Sequence, residues 1–96
     1  MKVTARYKLV KSCKLNGKGL VILGDLIDGD AKAGDFITFN TGYEDVTLQI
    51  AEIEMADPVS NGEYWLGLSF IYKGEKQKRS LENLSIPIQV VEIIGK

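Results

Sequence analysis

Five glycines between Gly17 and Gly34 constrain this chain more than any other feature of its sequence. They stand at positions 17, 19, 24, 29 and 34, so the last four are five residues apart. A spacing of five matches neither the helical repeat nor the alternation of a strand, and each glycine inside a helix costs about 1 kcal/mol against alanine. Because glycine in extended chain marks a bulge, a barrel corner or a turn, the segment predicts a bent, buried strand around residues 20–23.

Alternating apolar and polar residues predict strands in most of the remaining chain. Residues 3–9 alternate strictly, and residues 64–72 place their even-numbered side chains on one face. The longest run, residues 46–55, changes phase by one position near Ala51 and Glu52. Because a β-bulge absorbs such a slip and closure of a small barrel requires bent strands, we expect a bulge there.

Turn signals separate these runs. Residues 57–62 contain an Asp-Pro and an Asn-Gly pair, which favour a loop. Residues 73–79 form a charged connection, and residues 80–84 predict a single helical turn with Ser80 as its cap. Residues 86–94 predict the last strand, with its even-numbered apolar residues inward.

Six or seven short strands without a sustained helical period predict an all-β fold, a small closed antiparallel β-barrel. At 96 residues the chain makes a single domain, residues 1–96, which is long enough to build one core. The predicted interior consists of apolar residues that share the inward phase of their strands. They are Tyr7, Leu23, Ile37, Phe39, Leu48, Ile50, Leu66, Leu68, Phe70 and Val90.

Motifs for catalysis and metal binding are missing from the sequence. There is no histidine and one cysteine, so the commonest general base and the usual zinc ligands are lacking. Gly17-Lys18-Gly19 lacks the earlier glycine and the following Ser or Thr of a phosphate loop. Asp28-Gly29-Asp30 begins like a calcium loop, but Lys32 and Phe39 occupy later ligand positions. We therefore expect no enzymatic activity, nucleotide, cofactor or metal.

The single cysteine favours a cytoplasmic protein. Cys13 cannot form an internal disulfide, and with Leu15 it continues the inward phase of the first strand, which predicts a small buried hydrophobic residue. The first residues carry charges where a secretory signal needs an apolar run, and no apolar stretch reaches the length of a membrane span. We expect no membrane contact.

Charge is distributed unevenly although it nearly cancels, with 12 basic against 13 acidic residues. Residues 1–24 hold six basic side chains and no acidic one, whereas residues 25–63 hold ten acidic side chains and one lysine. This pattern has two interpretations: solvated outer faces of strands, or a basic edge that opposes an acidic face. The net charge of −1 gives no global attraction to nucleic acid or anionic membranes.

Residues 17–35, with their spaced glycines, resemble the opening of the second domain of elongation factor Tu and related translational GTPases. Residues 36–39 stand where that family has its next strand, and Ile53-Glu54-Met55 resembles its valine-glutamate-methionine strand. Residues 62–70 resemble the Gly-rich segment that follows, so the likeness spans residues 7–91. The resemblance implies a small β-barrel, here without a GTPase domain.

The same resemblance implies binding residues. Glu54 and Met55 stand where elongation factor Tu holds the terminal adenosine of aminoacylated transfer RNA. Trp65 takes the place of an asparagine of the family, and pleating sends its side chain to the outer face of its strand. Gly67 and Ser69 follow on that face and are expected to leave a shallow step beside the indole. Trp65 is therefore a candidate partner anchor, with packing under a loop as the alternative.

Two functional hypotheses follow. In the first, the chain is a free-standing, non-catalytic protein-interaction or scaffold module, in which Glu54, Met55 and Trp65 contact another protein or a second copy of the chain. In the second, it is an RNA-binding accessory of translation that contacts transfer or ribosomal RNA. The near-zero net charge and the scarcity of interleaved aromatics favour the first. The basic contact face of the second hypothesis consists of Lys8, Lys11, Lys14 and Lys18.

Overall fold

A computed structural model of the chain describes residues 2–15, 17–58 and 64–95. Within them, six strands close into an antiparallel β-barrel in the order β1-β2-β5-β4-β3-β6. The predicted all-β barrel is thereby confirmed. The elements are β1 (Val3–Leu15), β2 (Gly19–Gly29), β3 (Phe36–Asn40), β4 (Asp45–Pro58), β5 (Tyr64–Ile71), α1 (Glu75–Glu82) and β6 (Gln89–Ile94).

Glycine allows β2 to approach β1 closely. A Cβ atom added at Gly24 would overlap the backbone carbonyl of Lys8, and one added at Gly29 would overlap that of Thr4. Gly29 also has φ +82°, a conformation that side-chain-bearing residues rarely adopt. The register between the two strands shifts twice, between Arg6 and Tyr7 and again after Leu9. The glycine segment is thus a bent strand, as its sequence predicts.

The phase change in β4 is a register shift, which confirms the predicted bulge. It lies between Ile50 and Glu52 in the pairing of β4 with β5. Before the shift, Leu48 and Ile50 face the core, and after it Ile53 packs against the core. The bulge therefore keeps the apolar residues of a long strand inside while the barrel wall turns.

The core fills the barrel with side chains from every strand and from the helix. The buried hydroxyl of Tyr7 has a hydrogen-bond partner: it donates to the Leu66 carbonyl at 2.6 Å. Burial raises the pKa of Tyr7 well above its usual value, so the hydroxyl stays protonated. The fully buried large side chains are Tyr7, Leu9, Leu20, Ile22, Ile37, Phe39, Ile50, Leu68 and Ile93.

The predicted phase of the last strand is wrong. Val90 is 58% exposed, whereas Val91 and Ile93 are buried. Apolar residues occupy both the even and the odd positions of residues 86–94, so alternation does not define the inner face of this strand. Pairing with β1 decides the phase, because Val91 lies opposite Tyr7 in the core.

The expected inward positions of Cys13 and Leu15 are also wrong. The register shift after Leu9 exchanges the faces of β1, so that Cys13 is half-buried and Leu15 is 46% exposed. Leu66, expected inside, is half-buried and packs against the core. The prediction for Leu23 is wrong, because Leu20 and Ile22 face the core and alternation puts Leu23 on the outer face. The remaining predicted interior residues are buried.

A short helix replaces part of the expected charged connection. Helix α1 begins at Glu75, five residues before the expected helical turn, and buries Leu81 in the core. Ser80 is inside the helix and donates its hydroxyl hydrogen to the Lys76 carbonyl, so it is not the cap. The loop expected over residues 57–62 begins later than predicted, because Asp57 and Pro58 belong to β4. Its remaining positions, including Asn61 and Gly62, lie outside the described residues. None of the helices in the described part of the chain has the length and apolar character needed to cross a membrane.

We expect Leu68→Ala to lower the free energy of unfolding by about 2 to 5 kcal/mol, because it leaves a cavity in the packed core. Ile71→Ala, on the same strand at a site 52% exposed, is expected to cost less than about 1 kcal/mol. Urea denaturation of both variants measures the difference. Equal losses would contradict the assigned inner face of β5.

Candidate binding site on the outer face of β4 and β5

Strand register places the outer side chains of β4 and β5 beside one another. Glu52 lies opposite Ser69, and Glu54 lies opposite Gly67. Since Leu68 between them is fully buried in the core, strand alternation puts Gly67 and Ser69 on the outer face. The bulge in β4 therefore determines that two consecutive outward positions carry glutamate.

Lys18 connects these two glutamates to the turn between β1 and β2. Its ammonium group lies 3.1 Å from a carboxylate oxygen of Glu54 and 3.3 Å from one of Glu52. Hydrogen bonding to Glu54 raises the pKa of Lys18, and hydrogen bonding from Lys18 lowers the pKa of Glu54. We call these three residues the Lys18 clamp.

A shallow pocket of about 190 Å³ adjoins the Lys18 clamp. Tyr72 forms part of its wall and holds the start of β2: its hydroxyl accepts a hydrogen bond from the Leu20 amide at 2.9 Å. Partial burial raises the pKa of Tyr72. The pocket thus combines cationic, anionic and apolar groups on a fixed backbone. It is lined by Gly17, Lys18, Ala51, Glu52, Ser69, Phe70, Tyr72 and Lys78.

An apolar patch continues this outer surface toward β2. Val21 pairs with Ser69 and is buried, and Leu23 pairs with Gly67. Neither residue belongs to the core cluster, and neither does Trp65, which is half-buried. We call Val21, Leu23 and Trp65 the outer apolar patch.

The expected open step beside Trp65 is not present. Gly67 and Ser69 are both buried. A Cβ atom added at Gly67 would lie 3.3 Å from a methyl carbon of Leu23. Side chains of the neighbouring strand thus occupy the space that the missing side chain of Gly67 leaves, which the sequence of β5 alone does not reveal.

Glu54 and Met55 lie on opposite phases of β4. Glu54 belongs to the Lys18 clamp, whereas Met55 lies opposite Leu66 and is 65% exposed. Met55 follows Ile53 in phase, but Ile53 packs against the core and Met55 does not. The methionine therefore presents an exposed apolar side chain on the face of β4 opposite that of Glu54.

Three of the four lysines of the expected basic face lie opposite or close to an acidic residue. Lys18 is held by the clamp, and Lys14 lies 3.5 Å from a carboxylate oxygen of Glu82. Lys8 lies opposite Asp25 in the ladder between β1 and β2. Lys11 is exposed. Lys8 and Lys18 of the basic start thus lie opposite or against residues of the acidic middle, whereas the partner of Lys14 belongs to helix α1.

Sequence reasoning placed Ser69 on the outer face but missed Glu52, Tyr72 and Lys78 as parts of this surface. Glu52 carried a usable signal, because it stands at the phase change where a bulge is expected. Tyr72 follows β5 and Lys78 belongs to the helix, and no local pattern relates them to the turn at Lys18. Among residues 2–15, 17–58 and 64–95, no group of three side chains suited to a metal ion comes together.

The fold and this surface define a small closed β-barrel with a mixed charged and apolar outer site. Comparison of the chain with protein-family models, with curated proteins and with solved structures finds no match. Function is therefore argued from the geometry of the site.

We expect Lys18→Gln to raise the pKa of the Glu54 carboxyl toward its ordinary value of 4.5, because the hydrogen bond and the positive charge that lower it are removed. In the native protein the clamp contributes to the stability of the folded state at pH values above the unfolded-state pKa of the Glu54 carboxyl. This contribution is lost as the pH falls through the folded-state pKa. Carboxyl ¹³C shifts measured against pH report the change. Lys14→Gln is the control, since Lys14 pairs with Glu82. An equal rise of the Glu54 pKa in Lys14→Gln would contradict the clamp.

Proposed function

We propose that this barrel is a non-catalytic protein-interaction or scaffold module, whose contact residues are Trp65, Glu54 and Met55. One observation carries the proposal: Trp65 is half-buried outside the core cluster, on the outer face where Glu54 pairs with Lys18. Met55 is 65% exposed and lies on the other face of β4. The partner is another protein or a second copy of the chain. A cytoplasmic location belongs to the same proposal and is supported by the single cysteine.

The composition of this surface suits protein contact. Tryptophan is enriched among the residues that carry most of the binding energy of interfaces, and methionine adapts its shape to a partner. Charged residues favour the rim of such interfaces. Glu54, held by Lys18 at 3.1 Å, provides a rim group whose position is fixed before binding.

The resemblance to the second domain of elongation factor Tu and its relatives is part of this proposal. It is supported by the glycine spacing of residues 17–34 and by Ile53-Glu54-Met55. A barrel architecture by itself is shared by proteins of unrelated function. The residue matches, and in particular the placement of Glu54 and Met55 on β4, therefore carry this part of the argument.

An RNA-binding accessory role is the alternative, and the charges support it less. Arg6 donates a hydrogen bond to Asp28 at 3.0 Å, while Lys14 and Lys18 pair with glutamates. A phosphate backbone would have to compete with these carboxylates for the same cations. A partner protein that contacts Trp65 and Met55 requires no such exchange.

We expect Trp65→Ala to weaken partner binding or self-association by at least about 30-fold, the size of a hot-spot truncation, with little change in the unfolding midpoint. Tagged protein incubated with native cell extract, with and without ribonuclease, measures partner recovery, and sedimentation velocity measures self-association. Tyr43→Ala is the control, because Tyr43 is an exposed aromatic residue in the turn before β4.

Three outcomes would contradict the proposal. Unchanged recovery and self-association in Trp65→Ala would remove the anchor. A loss of stability by several kcal/mol, with binding reduced only in proportion, would make Trp65 a packing residue. Recovery abolished by ribonuclease would favour the RNA-binding alternative.

A further inference from the structure

The barrel is closed between β3 and β6 by a short ladder. Their ladder contains two residue pairs, Phe36 with Ile94 and Ile37 with Ile93. Beyond them, residues 38–40 of β3 pair with β4 only, and residues 89–92 of β6 pair with β1 only. We call the gap between residues 38–40 and residues 89–92 the seam.

Gln89 bridges the far end of the seam with its side chain. The side-chain oxygen of Gln89 accepts a hydrogen bond from the Asn40 amide at 2.9 Å, and its nitrogen donates one to the Asn40 carbonyl at 2.7 Å. A side-chain amide thus makes both bonds that a backbone residue of a neighbouring strand would make. Because a glutamine side chain is several ångströms long, the two backbones are farther apart here than in a regular ladder.

The middle of the seam has backbone groups that no ladder occupies. In a strand, alternate residues direct their N–H and C=O groups to opposite neighbours. Residues 89–92 use one edge for β1, and residues 38–40 use one edge for β4, so the remaining edges face each other across the seam. Such edges accept an added extended chain, as in peptide recognition by β-augmentation.

The lining of the seam indicates what kind of chain fits. The space measures about 400 Å³. Its inner side includes Phe39 and Val91, which are both buried core residues. Its outer side includes the exposed Val90 and the carboxylates of Asp45 and Glu92, with no basic side chain in the described lining. An extended peptide with apolar residues inward and basic residues outward matches both sides.

We propose that the seam binds an extended peptide segment of alternating apolar and basic residues, which pairs with the free edges of β3 and β6 after Gln89 releases Asn40. This surface is separate from the Trp65 surface, and it concerns a different mode of recognition. The peptide backbone replaces the two hydrogen bonds that Gln89 makes to Asn40, and basic side chains lie beside Asp45 and Glu92. Backbone pairing provides affinity, and the side-chain alternation provides selectivity.

The probe is a fluorescently labelled acetyl-(Lys-Val)₃-amide, titrated with the whole protein and followed by anisotropy. We expect saturable binding, with amide shifts in the ¹H–¹⁵N spectrum at residues 38–40 and 89–92. The same peptide methylated on alternate backbone nitrogens keeps charge and composition but loses donors, and it is expected not to bind. An acidic counterpart, acetyl-(Glu-Val)₃-amide, is also expected not to bind.

Two variants test the geometry. Gln89→Ala removes the group that occupies the Asn40 backbone, so it is expected to bind the peptide about five- to tenfold more tightly. Glu92→Gln is expected to bind about two- to fivefold more weakly, whereas Glu75→Gln, on the helix, is the matched control and leaves affinity unchanged.

Several results would overturn the proposal without any variant. Equal binding of the methylated peptide would show that backbone pairing is not used. Amide shifts confined to β4 and β5 would place the peptide on the Trp65 surface, and the absence of binding at millimolar peptide would exclude the seam as a strand acceptor. In the variants, weaker binding by Gln89→Ala at unchanged stability would contradict the release of Asn40.

Discussion

The close approach of the β1 and β2 backbones at Gly24 and Gly29 is the constraint on which the rest of the structure depends. At both positions a side chain would overlap a carbonyl of β1. The approach coincides with the two register shifts of this pair, which bend β1 so that it pairs with β2 along its length and with β6 through its first half. We expect that without that bend β1 would not pair with both of its neighbours and the sheet would stay open.

The same bend determines where apolar groups appear on the outside. The second register shift exchanges the faces of β1, so Cys13 turns to the outer side opposite Val21. Val21 and Leu23 then fill the space beside Gly67 that β5 leaves empty. On the other side of β5, the bulge of β4 changes which residues face outward and so brings Glu52 and Glu54 to Lys18. The candidate site is therefore a product of the register shift after Leu9 and of the bulge in β4.

Closure is unequal around the barrel, and this bears on function. The wall from β1 through β2, β5 and β4 is continuous, whereas β3 and β6 share only two residue pairs and a glutamine bridge. Edge strands left open attract other strands. The two proposed surfaces lie on these different parts: a rigid face for side-chain contact around Trp65, and an open seam for backbone contact.

Features with a local cause could be predicted from sequence. The glycine spacing predicted the bent β2, and the phase change near residues 51–52 predicted the bulge, because each is encoded by neighbouring residues. The prediction that Val90 faces inward failed because apolar residues occupy both phases of its segment, so only pairing with β1 selects the inner face. The prediction for Leu15 failed because Cys13 and Leu15 return to the odd phase of residues 3–9, although Val10 and Lys11 interrupt that phase where the register shifts. Glu54 was predicted from a resemblance, but its partner Lys18 lies 36 positions away, and only the fold brings the two together.

Gly24 provides the most direct test of this account, because its φ is ordinary and only the nearby Lys8 carbonyl excludes a side chain. Gly74→Ala is the matched control, since a Cβ atom there meets nothing within 4 Å. Urea denaturation, with the dispersion of the ¹H–¹⁵N spectrum as a check on folding, should show that Gly24→Ala loses at least about 3 kcal/mol of stability or the folded state altogether, while Gly74→Ala loses less than about 1 kcal/mol. A folded Gly24→Ala protein with an unchanged midpoint would contradict the claim that this approach closes the barrel.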